Sequence, residues 1–197
     1  MTTSTEAVRR VLAWADRFEL PVVIGNGLLC RESAALADRN KNLYLFGGMG
    51  LASAVASGLC MVADADPRRP PVVLEGDGNF AMGLQGAAQF ANLGSPVTHV
   101  VLCNGTFESS GGQTIPAAFS SPGRVADVAR ALGYDLVTEP ADAHTLGVGL
   151  ARTSAVSRSR FFAVRCEARE DRPPRPAISP REAARRFAKA IENSADR

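Results

Sequence analysis

Glycine-rich turns are the part of this sequence whose residue types and spacing could do chemistry. Three apolar runs end in Gly25-Asn-Gly27, Gly47-Gly-Met-Gly50 and Gly76-Asp-Gly78, and a fourth ends in Asn104-Gly105. Backbone N–H groups reach phosphate oxygens most easily where no side chain stands in the way. A single turn of this kind is also an ordinary strand-to-helix connection that uses the conformational freedom of glycine. Together, the turns predict a diphosphate-binding site at one edge of a sheet.

Asp77 and Asn104 add metal chemistry to that edge. Asn104 follows Asp77 by 27 residues, which is the length of one helix plus one strand, so their side chains should lie side by side at the ends of neighbouring strands. A carboxylate, an amide oxygen, a nearby carbonyl and two phosphate oxygens form an oxygen shell of the kind that Mg2+ prefers. The residues by themselves therefore predict a metal–diphosphate site.

Six short apolar runs must position these turns. We predict strands at 21–24, 43–46, 71–75, 97–102, 134–137 and 161–166, with helices at 5–17, 31–37, 51–63, 81–93, 124–132, 141–153 and 180–192. Ser4 or Thr5 is available to cap the first helix. Strands that are apolar throughout indicate a parallel sheet buried on both faces. The prediction is one doubly wound α/β domain over 1–197, with a mainly parallel six-stranded sheet, helices on both faces and a ligand site beyond the carboxyl ends of the strands.

Composition excludes several classes of function. The 197 residues carry 22 Lys+Arg and 20 Asp+Glu, and a net charge of +2 is too small for a protein that binds nucleic acid by neutralising phosphates. We predict no membrane span and no signal peptide. The four cysteines form no C-x-x-C pair, so we interpret them as buried thiols of a cytoplasmic protein. His99 lies within an apolar run and is predicted to be a strand residue rather than a ligand.

The motifs resemble those of one enzyme family. Gly76-Asp-Gly78 followed by Asn104 is similar to the thiamine diphosphate motif. The similarity extends to Phe46-Gly-Gly-Met-Gly-Leu-Ala-Ser53, Val72-Val-Leu-Glu-Gly-Asp-Gly78, Asn104-Gly-Thr-Phe-Glu-Ser-Ser-Gly-Gly-Gln113 and Arg175-Pro-Ala-Ile-Ser-Pro180. These segments resemble the cofactor-binding domain of sulfopyruvate and phosphonopyruvate decarboxylases. The resemblance implies the thiamine diphosphate-binding fold, thiamine diphosphate and Mg2+ as cofactors, and a small 2-oxo acid with an anionic head group as substrate.

The resemblance also implies roles for individual residues. The implied cofactor-binding set is Asn26, Gly47, Gly48, Met49, Gly76, Asp77, Gly78, Asn79, Asn104 and Thr106. Within it, Asp77, Asn104 and the carbonyl of Thr106 would ligate Mg2+. Gly47 would accept a hydrogen bond from the aminopyrimidine, and Met49 would bend the cofactor.

Glu108 and Gln113 are the candidate catalytic residues, because the resemblance implies that they face the substrate. Glu108 would be an acid/base or electrostatic group, the alternative being a solvated loop glutamate. Arg31 is the local candidate for binding the anionic group. Relatives tend to carry His in place of Phe107, Thr in place of Asn26, and Asp or Asn in place of Cys103. The loss of that His makes the pocket more apolar, so the identity of the substrate stays open.

The resemblance further implies that catalysis needs a glutamate from a second, pyrimidine-binding domain. Only one α/β domain fits in 197 residues, so we expect a separate pyrimidine-domain α subunit, in an α2β2 complex that shares the active site. The leading hypothesis is the β subunit of a split 2-oxo acid decarboxylase, inactive alone. The alternatives are a carboligase subunit, which Phe107 favours, the β subunit of a ferredoxin-linked oxidoreductase, a non-catalytic regulatory subunit that holds the cofactor, and an α/β scaffold without cofactor.

Overall fold

A six-stranded parallel sheet runs through the middle of the protein. The computed structural model describes residues 2–62, 68–152, 158–169 and 172–195. In chain order, the strands are β1 (Val22–Ile24), β2 (Asn42–Tyr44), β3 (Val72–Gly76), β4 (Thr98–Cys103), β5 (Thr106–Phe107), β6 (Gln113–Thr114), β7 (Leu136–Thr138) and β8 (Arg160–Arg165). The sheet has the order β2-β1-β3-β4-β8-β7, and each of its pairings is parallel. The predicted mainly parallel six-stranded sheet is confirmed. The short strands β5 and β6 form a separate antiparallel hairpin, which was not predicted.

Helices cover both faces of the sheet. They are α1 (Ser4–Arg17), α2 (Leu28–Ala37), α3 (Ala52–Met61), α4 (Asp77–Met82), α5 (Leu84–Ala91), α6 (Pro122–Leu132), α7 (Ala143–Arg152) and α8 (Pro180–Ala195). Apolar side chains of α1, α2 and α7 form one core with the sheet. Those of α3, α4, α5 and α6 form the core on the opposite face. The α8 helix packs near β2. The doubly wound α/β class is therefore confirmed.

The strand order explains where a site can form. From β1 the chain moves outward to β2 and then crosses back to β3 on the other side of β1, which opens a crevice at the carboxyl ends of these strands. The register aligns Ile24 with Leu74, and Gly76 with Leu102. The turns that follow β1, β3 and β4 therefore meet at one edge of the sheet.

Several predicted details differ in the structure. The cap of α1 is Thr3, not Ser4 or Thr5: the Thr3 hydroxyl accepts the backbone N–H of Glu6, whose carboxylate accepts the backbone N–H of Thr3. The helix predicted at 81–93 begins at Asp77 and is broken at Gly83 into α4 and α5.

The predicted ends of α3 at residue 63 and of α7 at residue 153 lie outside the described residues. Among the residues that are described, no helix has the length and apolarity needed to cross a bilayer. His99 lies in a strand, as predicted, and it is fully buried there in β4.

Candidate cofactor cleft

A narrow cleft, with a cavity volume of about 50 Å3, lies beyond the carboxyl ends of β1, β3 and β4. The predicted site residues that line it are Asn26, Met49, Gly76, Asp77, Gly78, Asn79, Asn104, Thr106 and Glu108. Gly47, Gly48 and Gln113 are not among the lining residues. The side-chain amide of Gln113 instead donates to the carbonyl of Ser110, within its own hairpin (2.8 Å).

Asp77 joins the ends of β3 and β4. Its carboxylate accepts three backbone N–H groups, from Gly78 (2.8 Å), Asn104 (2.9 Å) and Gly105 (2.7 Å). The side chain is buried, and this burial raises the pKa of Asp77 from 3.8 to about 6, although the three N–H donors act in the opposite direction. The predicted proximity of Asp77 and Asn104 is thereby observed, through the backbone of Asn104.

Asn104 and Thr106 add further oxygen atoms next to Asp77. The amide oxygen of Asn104 accepts the backbone N–H of Thr106 (2.9 Å) and its hydroxyl (3.2 Å). In the described parts of the chain, no three His, Cys, Asp or Glu side chains come together as a metal site. A cation here would therefore depend on one carboxylate together with amide and carbonyl oxygens. This donor set suits a hard cation such as Mg2+.

Asn79 connects three turns around the cleft. Its side-chain oxygen accepts the backbone N–H of Gly50 (3.1 Å), and its side-chain nitrogen donates to the carbonyl of Asn26 (3.5 Å). A Cβ built on Gly50 would lie 2.7 Å from the carbonyl carbon of Met82, so only glycine allows this close approach. Met49 is held at the cleft by this packing of the turn.

An apolar wall covers the first turn of α4. A Cβ built on Gly78 would lie 2.6 Å from Cδ1 of Phe107 and 3.3 Å from Cε of Met49. The ring of Phe107 therefore lies directly against the backbone of Gly78. Phe107 and Met49 give the cleft an apolar part, whereas Asp77 and Asn104 give it polar groups.

Glu108 is held by an arginine that sequence reasoning missed. Its carboxylate accepts the backbone N–H of Arg169 (2.6 Å) and is paired with the guanidinium of the same residue. Arg169 also donates through Nε (2.9 Å) and Nη2 (2.7 Å) to Glu32. The Glu108 side chain is only 13% exposed, so the alternative of a solvated loop glutamate is wrong.

Arg31, the predicted anion-binding residue, does not line the cleft. It lines a separate groove with Asp38 and Arg175, between α2 and the segment before α8. Arg169 lines the cleft instead. The only signal that could have found Arg169 is its place four residues after the end of β8, the neighbour of β4.

A buried polar chain supports β3 and β4 beneath the cleft. One ring nitrogen of His99 lies 2.8 Å from the carboxylate of Glu75, and the other lies 2.6 Å from the hydroxyl of Tyr134. All three side chains are buried among the rings of Phe80 and Phe161. Because Glu75 lies two residues before Asp77, this chain of contacts fixes the end of β3 that leads into Asp77.

Comparisons with known proteins agree with this geometry. Residues 30–159 match the family described as thiamine pyrophosphate enzyme, C-terminal TPP binding domain. A phosphonopyruvate decarboxylase of Streptomyces viridochromogenes is 34% identical over 189 residues, which cover 94% of this chain and 45% of that protein. The sulfopyruvate decarboxylase subunit beta of Methanothermobacter thermautotrophicus is 30% identical over 139 residues, which cover 70% of each chain.

Solved structures show the same fold. Benzoylformate decarboxylase from Polynucleobacter necessarius superimposes with a TM-score of 0.67 at 19% identity, over 83% of this chain and 33% of that chain. The chain spans about half the length of its Streptomyces relative. The family match covers most of the chain and contains Asp77 and Asn104. The resemblance found in the motifs is thus confirmed, and the chain belongs to the family of thiamine pyrophosphate enzymes, as a member with the C-terminal TPP-binding domain.

Proposed function

We propose that this chain, over 1–197, is the β subunit of a thiamine diphosphate-dependent decarboxylase acting on a small 2-oxo acid of the sulfopyruvate or phosphonopyruvate type. The observation that carries the proposal is the cleft in which Asp77, Asn104 and Thr106 lie beside Glu108 at the ends of parallel strands. The relatives named as phosphonopyruvate decarboxylase and sulfopyruvate decarboxylase subunit beta support the reaction and substrate class. The predicted cytoplasmic location belongs to the same proposal.

The residues of the cleft fit Mg2+ and a diphosphate. Asp77, the amide of Asn104 and the carbonyl of Thr106 would hold the metal, and a buried carboxylate with a raised pKa is stabilised by a nearby cation. Gly76, Gly78 and Asn26 line the cleft and would meet the diphosphate, Gly78 from behind the ring of Phe107, and Asn79 holds the turns together. Gly47, Gly48 and Met49 would meet the pyrimidine end, with Met49 as the apolar support.

The chain's own groups have distinct tasks in this mechanism. Thiamine diphosphate, when bound, supplies the electron sink that stabilises the carbanion left when CO2 departs. Glu108, held by Arg169, would act on the reacting carbonyl as an acid/base or electrostatic group. Phe107 and Met49 would exclude water from the same side. Gln113 would reach the substrate only after leaving Ser110.

A pyrimidine-domain α subunit would complete the active site, in a complex that we propose to be α2β2. Apolar side chains are exposed around the turn of Met49 and the end of α3, at Phe46, Leu51, Met61 and Met82. A surface of this kind suits a partner chain that buries it. The relatives named as beta subunits, and the 45% coverage of the longer relative, support a second unit.

Thermal unfolding with Mg2+ and thiamine diphosphate tests the cofactor assignment. At ligand concentrations 100 times the Kd, binding raises the free energy of unfolding by about 2.7 kcal/mol. For a chain of this size, this raises Tm by about 5–10 °C. Asp77→Ala should lose this shift. Asp127→Ala is the matched control, because Asp127 is an exposed carboxylate on α6. No shift with the wild-type chain, alone or with its partner, would favour an α/β scaffold without cofactor.

Decarboxylation tests the reaction. The chain alone should be inactive, and the reconstituted α–β complex should release CO2 from phosphonopyruvate or sulfopyruvate. Turnover by the rigorously purified chain would contradict the shared active site. The wall formed by Phe107 supports carboligation as a second candidate, because an apolar site protects a carbanion from protonation. Products should therefore be compared with and without an aldehyde acceptor. Cofactor binding without either product would indicate a regulatory subunit.

A further inference from the structure

Arg169 joins two carboxylates that come from distant parts of the chain. All three guanidinium nitrogens donate: Nη1 to Glu108, and Nε and Nη2 to Glu32. The backbone N–H of Arg169 donates to Glu108 as well. The three side chains are at most 13% exposed. Charge-assisted and forked hydrogen bonds of this kind restrict geometry strongly.

Glu32 is itself fixed, so it can serve as the anchor of this arrangement. It lies on α2, and its second oxygen accepts the hydroxyls of Thr5 (2.6 Å) and Ser4 (3.2 Å), in the first turn of α1. Two helices therefore hold Glu32, and Glu32 holds Arg169.

Glu108, in contrast, lies on a weakly supported element. It begins a single turn of 3-10 helix within the β5–β6 hairpin, whose strands have two residues each. Gly111 and Gly112, at positive φ, follow in the loop. Few backbone hydrogen bonds hold this segment, so the position of the Glu108 carboxylate depends on Arg169, mainly on its guanidinium and in addition on its backbone N–H.

The charges around Arg169 argue against a role in binding an anionic group of the substrate. It is the only cationic residue among the described residues that line the cleft. Its one positive charge already faces two carboxylates, so the cluster has a net charge of −1. Three of the five guanidinium N–H groups already donate to Glu32 and Glu108, so an anionic substrate group that approached the other two would meet a cluster of net negative charge, which is unfavourable in a buried site.

We propose that Arg169 is a positioning residue that, anchored by Glu32, fixes Glu108 and the 106–114 hairpin over the cleft. It does not bind the acidic head group of the substrate, whose cationic receptor therefore lies outside the described lining of this cleft. The catalytic part of this inference rests on the proposed function, whereas the positioning of the hairpin does not.

Hydrogen exchange of the full chain tests the positioning without any activity. In Arg169→Met, the backbone amides of 106–114 should exchange at least tenfold faster than in the wild-type chain. They include the N–H that Gly112 donates to the carbonyl of Phe107. The exchange rates of amides in α6 should stay within threefold of their wild-type values. Arg130→Met is the matched control, because Arg130 also pairs with two carboxylates, Asp127 and Glu139, but on the surface. Unchanged exchange in 106–114, or an equal rise throughout the chain, would overturn the proposal.

If Arg169→Met does not fold, Glu32→Gln tests the same arrangement. The amide keeps the shape and the hydroxyl contacts of Glu32 but weakens the anchor of Arg169. Exchange in 106–114 should then rise at least threefold, and an unchanged rate would overturn the anchoring role of Glu32.

Kinetics of the reconstituted complex with phosphonopyruvate separate positioning from substrate binding. Arg169→Met should lower kcat at least tenfold while KM stays within threefold of the wild-type value. When Arg169→Met is added to Glu108→Gln, kcat should not fall further. A tenfold higher KM at unchanged kcat would mean that Arg169 binds the acidic group, against the proposal. If Glu108→Gln itself leaves kcat unchanged while the exchange result holds, the catalytic role of Glu108 fails and the positioning stands.

Discussion

The contact between Gly78 and Phe107 allows a quantitative test of how the cleft is packed. A Cβ at Gly78 would lie 2.6 and 2.7 Å from two ring carbons of Phe107, where ordinary contact begins at 3.4 Å. In Gly78→Ala, the ring must therefore move by roughly 0.8 Å, and overpacking of this kind costs about 1–3 kcal/mol. Replacing a helical glycine by alanine stabilises the folded state by about 0.5–1 kcal/mol. We expect a net loss of about 1–2 kcal/mol in the free energy of unfolding.

A double-mutant cycle isolates this contact. In Phe107→Ala, the ring is absent and only the flexible end of Met49 remains near, at 3.3 Å. Gly78→Ala should then be neutral or stabilising by up to about 1 kcal/mol, so the two backgrounds differ by about 2 kcal/mol. Urea unfolding at pH 7, without cofactor and followed by circular dichroism, measures all four proteins. An equal loss in both backgrounds would refute the reasoning, because the clash would then not involve Phe107.

Three further predictions concern the support of the cleft. Gly83→Ala should cost about 3 kcal/mol or more in urea unfolding, because its Cβ would overlap the carbonyl of Gly50, whereas Gly58→Ala, with no atom within 4 Å, should be neutral or gain up to about 1 kcal/mol. Tyr134→Phe should cost about 1–2 kcal/mol, since it removes the hydroxyl that contacts His99; unchanged stability would show that this contact is dispensable. Burial raises the pKa of Asp77 from 3.8 to about 6, so the folded chain binds this proton more tightly than the unfolded chain. Without metal, the free energy of unfolding should therefore fall by about 3 kcal/mol as the pH rises from about 3 to 7, and Asp77→Asn should flatten this part of the profile.

Some of this protein could be predicted because the information is local. Uniformly apolar strands between helices indicate a parallel sheet, and the carboxyl ends of parallel strands share one edge. The spacing from Asp77 to Asn104 was therefore enough to expect them together, and the backbone contact from Asn104 to Asp77 agrees. The break at Gly83 was missed, because a glycine inside a helical pattern indicates a close backbone approach only when the approaching chain, here Gly50, is known.

The amino-acid sequence alone was enough to predict the α/β class, the turns at the sheet edge and the oxygen-bearing side chains beside Asp77. Only the tertiary structure decided which charge stands next to Glu108. Arg169 is 61 residues from Glu108 and 137 from Glu32, with no repeating pattern between them. They meet because β8 lies beside β4 while α1 and α2 close the same end of the sheet. Periodicity and spacing report the face or edge on which a residue lies. Side-chain pairing across distant segments depends instead on how the layers pack.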